Sequence, residues 1–181
     1  MKAWIDRKII GLITALCLVF IFQAGFALAG EELVDIKVLQ SRKAYQPGKA
    51  YPLALALNIK RGVHINSLKP KDPDLVPTAL KFSQVKGINL ALPVFPEPVS
   101  HKPDFMEKPV LSYSGRVLVM TEVEFDPDLK PGEYLVRGNL FFQGCDDQMC
   151  FMPQARDFEV RLSVASLGEK SPLLHPEVFA K

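Results

Sequence analysis

Strict alternation of large and small residues is the sequence feature that most constrains the fold of this chain. The segment 51–59 has a large aliphatic side chain at every second position, namely Leu53, Leu55, Leu57 and Ile59. A helix would scatter these side chains around its axis, whereas a strand places them on one face. The segment therefore predicts a β-strand with its aliphatic face turned toward a core.

The same period of two recurs along the chain, between turns rich in proline and glycine. With 51–59, the predicted strands include 33–39, 78–85, 88–94, 115–125, 133–143 and 157–164. The sequence beyond residue 30 contains no convincing amphipathic helix. About eight short strands separated by turn signals are typical of an antiparallel sandwich. We therefore expect an all-β fold, an immunoglobulin-like antiparallel β-sandwich.

Two proline-rich stretches interrupt this pattern. The first follows residues 63–67 and contains Pro70, Pro73 and Pro77, and the second, residues 93–109, contains five prolines. Proline has no backbone N–H to donate to a sheet, so we expect 93–109 to be loop. Loops of this length in a compact domain are usually functional or mobile.

The N-terminus predicts an export signal. Three basic residues precede an apolar run over 9–22, and Ala27 and Ala29 are the small residues that signal peptidase requires. The alternative is an uncleaved anchor, because 9–29 is just long enough to span a bilayer. We expect a signal peptide over residues 1–29, which places the rest of the chain in a compartment where disulfides persist.

The rest of the chain is expected to form one domain over residues 30–165. A tail over 166–181 shows no period and is expected to lie over the surface or to fray. The signal segment holds three of the 22 basic and one of the 20 acidic residues, so the remainder carries no formal net charge. A general nucleic-acid-binding surface needs a marked basic excess, so we expect no nucleic-acid partner.

Cys145 and Cys150 are the only cysteines beyond the apolar N-terminal run, and four residues separate them. A structural disulfide closing so short a loop contributes roughly 2 kcal/mol. Together with Met149 and Met152, the two cysteines form a soft ligand set that suits Cu(I). A redox pair is the third use, in which one thiolate attacks a partner and the other cysteine resolves the mixed disulfide. The residue pattern leaves all three open.

Charged residues near the cysteines refine the redox hypothesis. Asp146 and Asp147 lie between the two cysteines, and no Lys, Arg or His is adjacent in sequence. Thiolate formation is then disfavoured, which predicts a dithiol that reacts with chosen partners. The three histidines, His64, His101 and His175, fall on different predicted elements and offer no evident acid–base or metal triad. We interpret His64 as structural.

The run from Gln143 to Pro153 resembles the cysteine loop of a known family, the amino-terminal periplasmic domain of the DsbD thiol:disulfide interchange protein. Three further stretches resemble that family in matching order: 64–67, 77–78 and 113–115. The similarity spans roughly residues 34–164. The resemblance implies an immunoglobulin-like sandwich, in agreement with the period of two.

The resemblance also implies roles for individual residues. Cys150 would form mixed disulfides with partners, and Cys145 would resolve them. A cap loop would shield the pair, with Asp104, Phe105 and Met106 as its candidates and Phe105 over the disulfide. No cofactor is implied.

The implied partners are thioredoxin-like periplasmic proteins and a membrane thiol reductase. Proteins of the family continue into a transmembrane reductase domain and a thioredoxin-like domain, neither of which occurs in this sequence. The electron donor is therefore expected to be a separate protein, with membrane contact only through an N-terminal anchor. An interaction domain that uses exposed strand edges and holds a structural disulfide is the rival interpretation.

Overall fold

The computed structural model describes residues 32–169 and 171–180. In chain order these residues form eleven strands and one short helix, α1 (Pro176–Phe179). The strands are β1 (Val34–Gln40), β2 (Ala50–Ile59), β3 (His64–Asn66), β4 (Ala79–Phe82), β5 (Ile88–Leu90), β6 (Val99–His101), β7 (Val110–Ser114), β8 (Arg116–Phe125), β9 (Gly132–Phe142), β10 (Gly144–Cys145) and β11 (Gln154–Val164).

These strands form three antiparallel sheets. The first has the order β1-β2-β8-β5, the second β11-β9-β4 and the third β10-β3-β7-β6. Two apolar clusters fill the space between the first two sheets. One contains Leu55 and Val119 from the first sheet with Leu140 from the second, and the other contains Phe125 with Val160. The expected all-β, immunoglobulin-like sandwich is therefore confirmed.

The third sheet contributes to the same core from one side. Ile65 of β3 and Tyr113 of β7 belong to the cluster that contains Leu140. These two residues face each other in the antiparallel pair of β3 and β7. Burying side chains of this size contributes about 1.5–3 kcal/mol each, so the third sheet is fixed to the sandwich by its apolar face.

Five of the predicted strands are confirmed with small shifts of their ends, whereas 78–85 and 88–94 contain only the shorter strands β4 and β5. The loop prediction is partly wrong. Residues 99–101, inside the predicted loop 93–109, form β6. The stretch 63–67, for which the sequence predicts no strand, contains β3. The reason is the position of the prolines: Pro98 precedes β6 and Pro103 follows it, so neither removes an N–H from the strand. Both strands are three residues long, too short to display a period.

The second face of β2 is also buried. Ala54 and Ala56 are completely buried together with Leu39, and Val178 and Phe179 of the C-terminal segment pack against them. Alanine allows close approach here because it has no side chain beyond Cβ. The C-terminal segment thus lies over the outer face of the first sheet.

Within residues 32–169 and 171–180, no helix has the length and apolar character needed to cross a membrane. The predicted signal segment, residues 1–29, lies outside the described residues.

Candidate functional site

The cysteine loop is an excursion from a long β-hairpin. Strands β9 and β11 are paired up to Phe142 and Gln154, which lie opposite each other. Residues 143–153 connect these two residues and take no part in the pairing of β9 with β11. Within the excursion, Cys145 of β10 pairs with His64 of β3. The loop is therefore carried by the second sheet and anchored in the third.

Cys145 and Cys150 form a disulfide, and their Cα atoms lie 3.9 Å apart. The two residues face each other in an antiparallel bridge, and the Phe151 N–H donates to the Gly144 carbonyl oxygen at 2.8 Å. Their exposure differs, since Cys145 is 1% exposed whereas Cys150 is half-buried. An approaching sulfur atom can therefore reach Cys150 more easily than Cys145.

A tight turn organised by Asp146 connects the two cysteines. Its Oδ1 accepts hydrogen bonds from the backbone N–H groups of Gln148 and Met149, both at 2.8 Å. These two bonds lower the pKa of the Asp146 carboxyl, because they favour its charged form. The Asp146 N–H donates in turn to the Met149 carbonyl oxygen at 2.9 Å. Asp146 is thus the residue that shapes the turn.

Gln143 fastens the base of the loop to the third sheet and to the first proline-rich stretch. Its Oε1 accepts from the Val76 N–H at 3.2 Å and from Nδ2 of Asn66 at 3.3 Å. Its Nε2 donates to the Phe151 carbonyl oxygen at 3.2 Å. Thr78 completes the contact by donating its hydroxyl to the Asn66 carbonyl oxygen at 2.6 Å. Stretches 64–67 and 77–78, which resembled the family by sequence, therefore meet at the cysteine loop.

Gly144 allows the loop to lie close to the core. A Cβ atom at this position would approach Cδ1 of Leu33 to 2.8 Å and Cγ1 of Val63 to 3.4 Å. Both neighbours belong to the buried cluster of the sandwich. A side chain at Gly144 would therefore require either the loop or the Leu33 side chain to shift.

The histidines fall on different elements, as expected, but two of them come together beside the disulfide: His64 of β3 and His101 of β6. The rings of His64 and His101 are in contact, with centroids 4.6 Å apart. Nε2 of His101 lies 3.3 Å from Oδ1 of Asp147, which is within ion-pair distance but outside hydrogen-bond alignment. The sequence did not reveal this cluster because its members come from β3, β6 and the cysteine loop.

His64 is the more buried of the two, at 5% exposure. Its pKa is lowered, chiefly by burial and next by the neighbouring His101, while Asp147 and Asp146 act in the opposite direction. Burial disfavours the charged imidazolium, so His64 is neutral at pH 7. A histidine therefore does lie beside Cys145, although none is adjacent in sequence.

A cavity of about 290 Å³ opens beside these histidines. Its lining includes His64, His101 and Asp147 together with Val99, Ser112 and Ser114. The predicted cap residues Asp104, Phe105 and Met106 lie in the turn between β6 and β7, and Phe105 is 45% exposed. They belong to the hairpin of β6 and β7, and β6, which carries His101, is separated from β10 by both β3 and β7.

The copper ligands considered above include two methionines and the two bonded cysteines. Met149 and Met152 are both exposed, and the sulfur atoms of the two cysteines are bonded to each other. Among the described residues, no group of three His, Cys, Asp or Glu side chains has the arrangement of a metal site.

Two of the solved structures that are similar to this chain are N-terminal domains. One is the N-terminal domain of DsbD from Neisseria meningitidis in the reduced form, with 16% identity, a TM-score of 0.41, and coverage of 76% of this chain and 90% of that chain. The other is the N-terminal periplasmic domain of ScsB from Proteus mirabilis, with 14% identity and a TM-score of 0.48. The match covers 78% of this chain and 49% of that one, so this chain spans about half of the ScsB structure. No curated protein sequence matches the chain.

A family model gives the assignment. The model for the N-terminal domain of thiol:disulfide interchange protein DsbD matches residues 35–162, which include β1, the cysteine loop and nearly all of β11. This match and the bonded cysteine pair support thiol–disulfide exchange as the general chemistry of the site. The chain belongs to the family of the N-terminal domain of the thiol:disulfide interchange protein DsbD.

Proposed function

We propose that this chain is a periplasmic thiol–disulfide exchange domain. It passes reducing equivalents between a membrane-linked thiol reductase and periplasmic thiol proteins through Cys145 and Cys150, without a cofactor. The observation that carries the proposal is a disulfide between a buried and a half-buried cysteine, in a loop that leaves an intact hairpin. Membership of the DsbD N-terminal family supports the same chemistry.

Exchange proceeds by two thiolate displacements. A donor thiolate attacks Sγ of Cys150, a donor–Cys150 disulfide forms, and Cys145 leaves with the electron pair of the broken bond and takes up a proton. The donor's second thiolate then displaces Cys150, which oxidises the donor by two electrons and leaves both cysteines reduced. The reduced pair passes the two electrons to an acceptor disulfide by the reverse sequence.

Burial supports the division of roles between the two cysteines. Cys150 is the half-buried member and meets the partner, whereas Cys145, at 1% exposure, stays behind to resolve the mixed disulfide. We include in the proposal a cap loop formed by Asp104, Phe105 and Met106, which would limit access to the pair. Phe105 is the aromatic side chain of this turn, and its 45% exposure leaves it free to contact a partner.

Exposed apolar residues favour protein partners of the thioredoxin-like class. Val99 in β6, Phe105 in the turn after it, and Met149 and Met152 of the cysteine loop are all exposed. Apolar side chains gathered near a reactive sulfur are typical of a surface that docks another protein. We include a signal peptide over residues 1–29, a domain over 30–165 and a tail over 166–181 in this proposal.

Serine variants of the two cysteines test the proposal, with purified thioredoxin as the defined probe and periplasmic extract as the broader one. The Cys145→Ser variant should trap mixed disulfides through Cys150, visible as larger species on non-reducing gels. The Cys150→Ser variant should trap none. If both variants behave alike and neither forms a complex, exchange is excluded and the disulfide is structural.

A further inference from the structure

The face of the third sheet that carries the disulfide also carries a buried histidine without a hydrogen-bond partner at one ring nitrogen. His64 and Cys145 are directly opposite each other in the pair of β3 and β10. Directly opposite residues of an antiparallel pair project from the same face, with Cβ atoms about 4.5–5.5 Å apart. The imidazole therefore emerges next to the Cys145 side chain.

His64 is buried in the oxidised state, but one of its ring nitrogens lacks a hydrogen-bond partner there. It is 5% exposed, and its Nε2 has no hydrogen-bond partner among the described residues. A buried polar atom without a partner is costly and uncommon in native structures. When the disulfide opens, Cys145 gains a proton and its thiol becomes a hydrogen-bond donor within this buried environment.

We propose that His64 is the proton acceptor for the Cys145 thiol when Cys145 resolves a mixed disulfide at Cys150. This inference rests on the proposed exchange function and adds a residue to it. The Cys145 S–H proton passes to Nε2 of His64, and the resulting thiolate attacks Sγ of Cys150. The bond between Cys150 and the acceptor breaks, the acceptor sulfur leaves with the electron pair, and the imidazolium returns its proton to that thiolate or to solvent.

The charged groups around His64 are consistent with a base that is neutral before the proton transfer and carries a charge only until it releases the proton. Burial and His101 of β6 favour the neutral form, which can accept a proton. Asp146 and Asp147 of the cysteine loop favour the imidazolium, and Asp147 also lies beside His101. From β7, the residue opposite His64 is the uncharged Ser114. The acids between the cysteines thus stabilise the product of the proton transfer.

A two-step reaction with dithionitrobenzoate isolates the resolving step. The reduced protein releases one coloured thiolate when Cys150 is modified and a second when Cys145 displaces the probe, so the second rate reports resolution alone. We expect His64→Gln to slow this second release by about 100-fold at pH 7, the lower end of general-base effects. In the wild type the rate of the second release should rise with pH as His64 loses its proton and should then level off. The rate of the His64→Gln variant should not show this pH-dependent rise.

The control is His175→Asn, which changes a histidine of the C-terminal segment and suits the left-handed backbone at that position. It should resolve at the wild-type rate. Equal rates and equal pH profiles for His64→Gln and the wild type would overturn the inference.

Two outcomes keep the test decisive. If circular dichroism shows that His64→Gln does not fold, the pH profile of the second release is measured in the wild type alone. Its midpoint is compared with the midpoint of the His64 titration followed by NMR. Different midpoints reject the inference. A wild-type protein that never releases the second thiolate contradicts the exchange function itself. If the wild type releases the second thiolate and the His64→Gln variant does so at the same rate, only the role of His64 is rejected.

Discussion

Gln143 and Asn66 are joined side chain to side chain across two sheets, with Nδ2 of Asn66 donating to Oε1 of Gln143 at 3.3 Å. Asn66 ends the central strand β3 of the third sheet, and Gln143 is the first residue to leave the β9–β11 hairpin. The same Asn66 amide donates to the Val76 carbonyl oxygen at 3.0 Å. Two neutral amides thus add a side-chain link between the cysteine loop and the third sheet to the backbone pairing of β10 with β3.

Replacing Gln143 with alanine should destabilise the protein. The change leaves the Val76 N–H and the Phe151 carbonyl without their side-chain partner, and loss of partly buried hydrogen bonds of this kind costs about 1–3 kcal/mol. Urea unfolding measures the change in the free energy of unfolding. The matched control is Gln40→Ala, since Gln40 makes one exposed bond to the Arg161 carbonyl, and its effect should stay within about 0.5 kcal/mol. Equal effects of the two variants would contradict the anchoring role of Gln143.

The Asp146→Ala variant should be reduced several-fold faster than the wild type by dithiothreitol. The change removes the acceptor for the Gln148 and Met149 N–H groups, so the turn that connects the two cysteines loosens and the disulfide becomes easier to reach. Asp146→Asn retains an acceptor oxygen and should lie closer to the wild type. Because the Asp146 pKa is lowered from 3.8, the charged acceptor is fully present above that pH and is lost as the pH falls through the lowered value. Wild-type rates in both variants would show that the turn does not limit access.

His64 should make the folded state less stable in mild acid. Its pKa is lowered from 6.5 on folding, so between 6.5 and the lowered value the unfolded chain binds more protons than the native state. The free energy of unfolding therefore falls as the pH falls through this window, and above it His64 has no effect. His64→Gln should show a smaller loss between pH 7.5 and 5.5 in urea unfolding. An identical loss in both proteins would mean that His64 titrates equally when folded and unfolded.

The reduction potential separates an exchange disulfide from a structural one. We expect a value above about −300 mV, because structural bridges of exported proteins fall below that level. A bridge that closes a six-residue loop adds roughly 2 kcal/mol to the folded state, so little stability opposes its reduction. Equilibration in glutathione buffers, with alkylation of free thiols, gives the value. A potential below −300 mV would favour the interaction-domain interpretation.

The sandwich could be predicted because its strands are long enough to show their period. Along β8, Val117, Val119, Val123 and Phe125 are buried as the alternation requires. The same rule missed the burial of Ala54 and Ala56, because alanine gives no signal of a covering layer. The C-terminal residues that cover these alanines show no period themselves.

The cysteine pair could also be found from sequence, whereas its surroundings could not. Strands β3, β6 and β10 are two or three residues long, so no periodic pattern marks the sheet that holds the site. His64, His101 and Asp147 come into contact only because β3, β6 and the cysteine loop lie close together in the fold. Their spacing in the sequence does not predict these contacts. The stretches 64–67 and 77–78 were visible only as a family resemblance, and the contact with Gln143 gives their physical reason.

The cysteine loop lies outside the continuous pairing of β9 with β11, and this bears on repeated oxidation and reduction of the disulfide. Eleven residue pairs join β9 to β11, from Phe142 with Gln154 to Gly132 with Val164, and none of them includes a cysteine. Opening the disulfide therefore breaks none of these pairs. The exchange proposed above would then act on a scaffold whose main strand pairing stays in place between one reaction and the next.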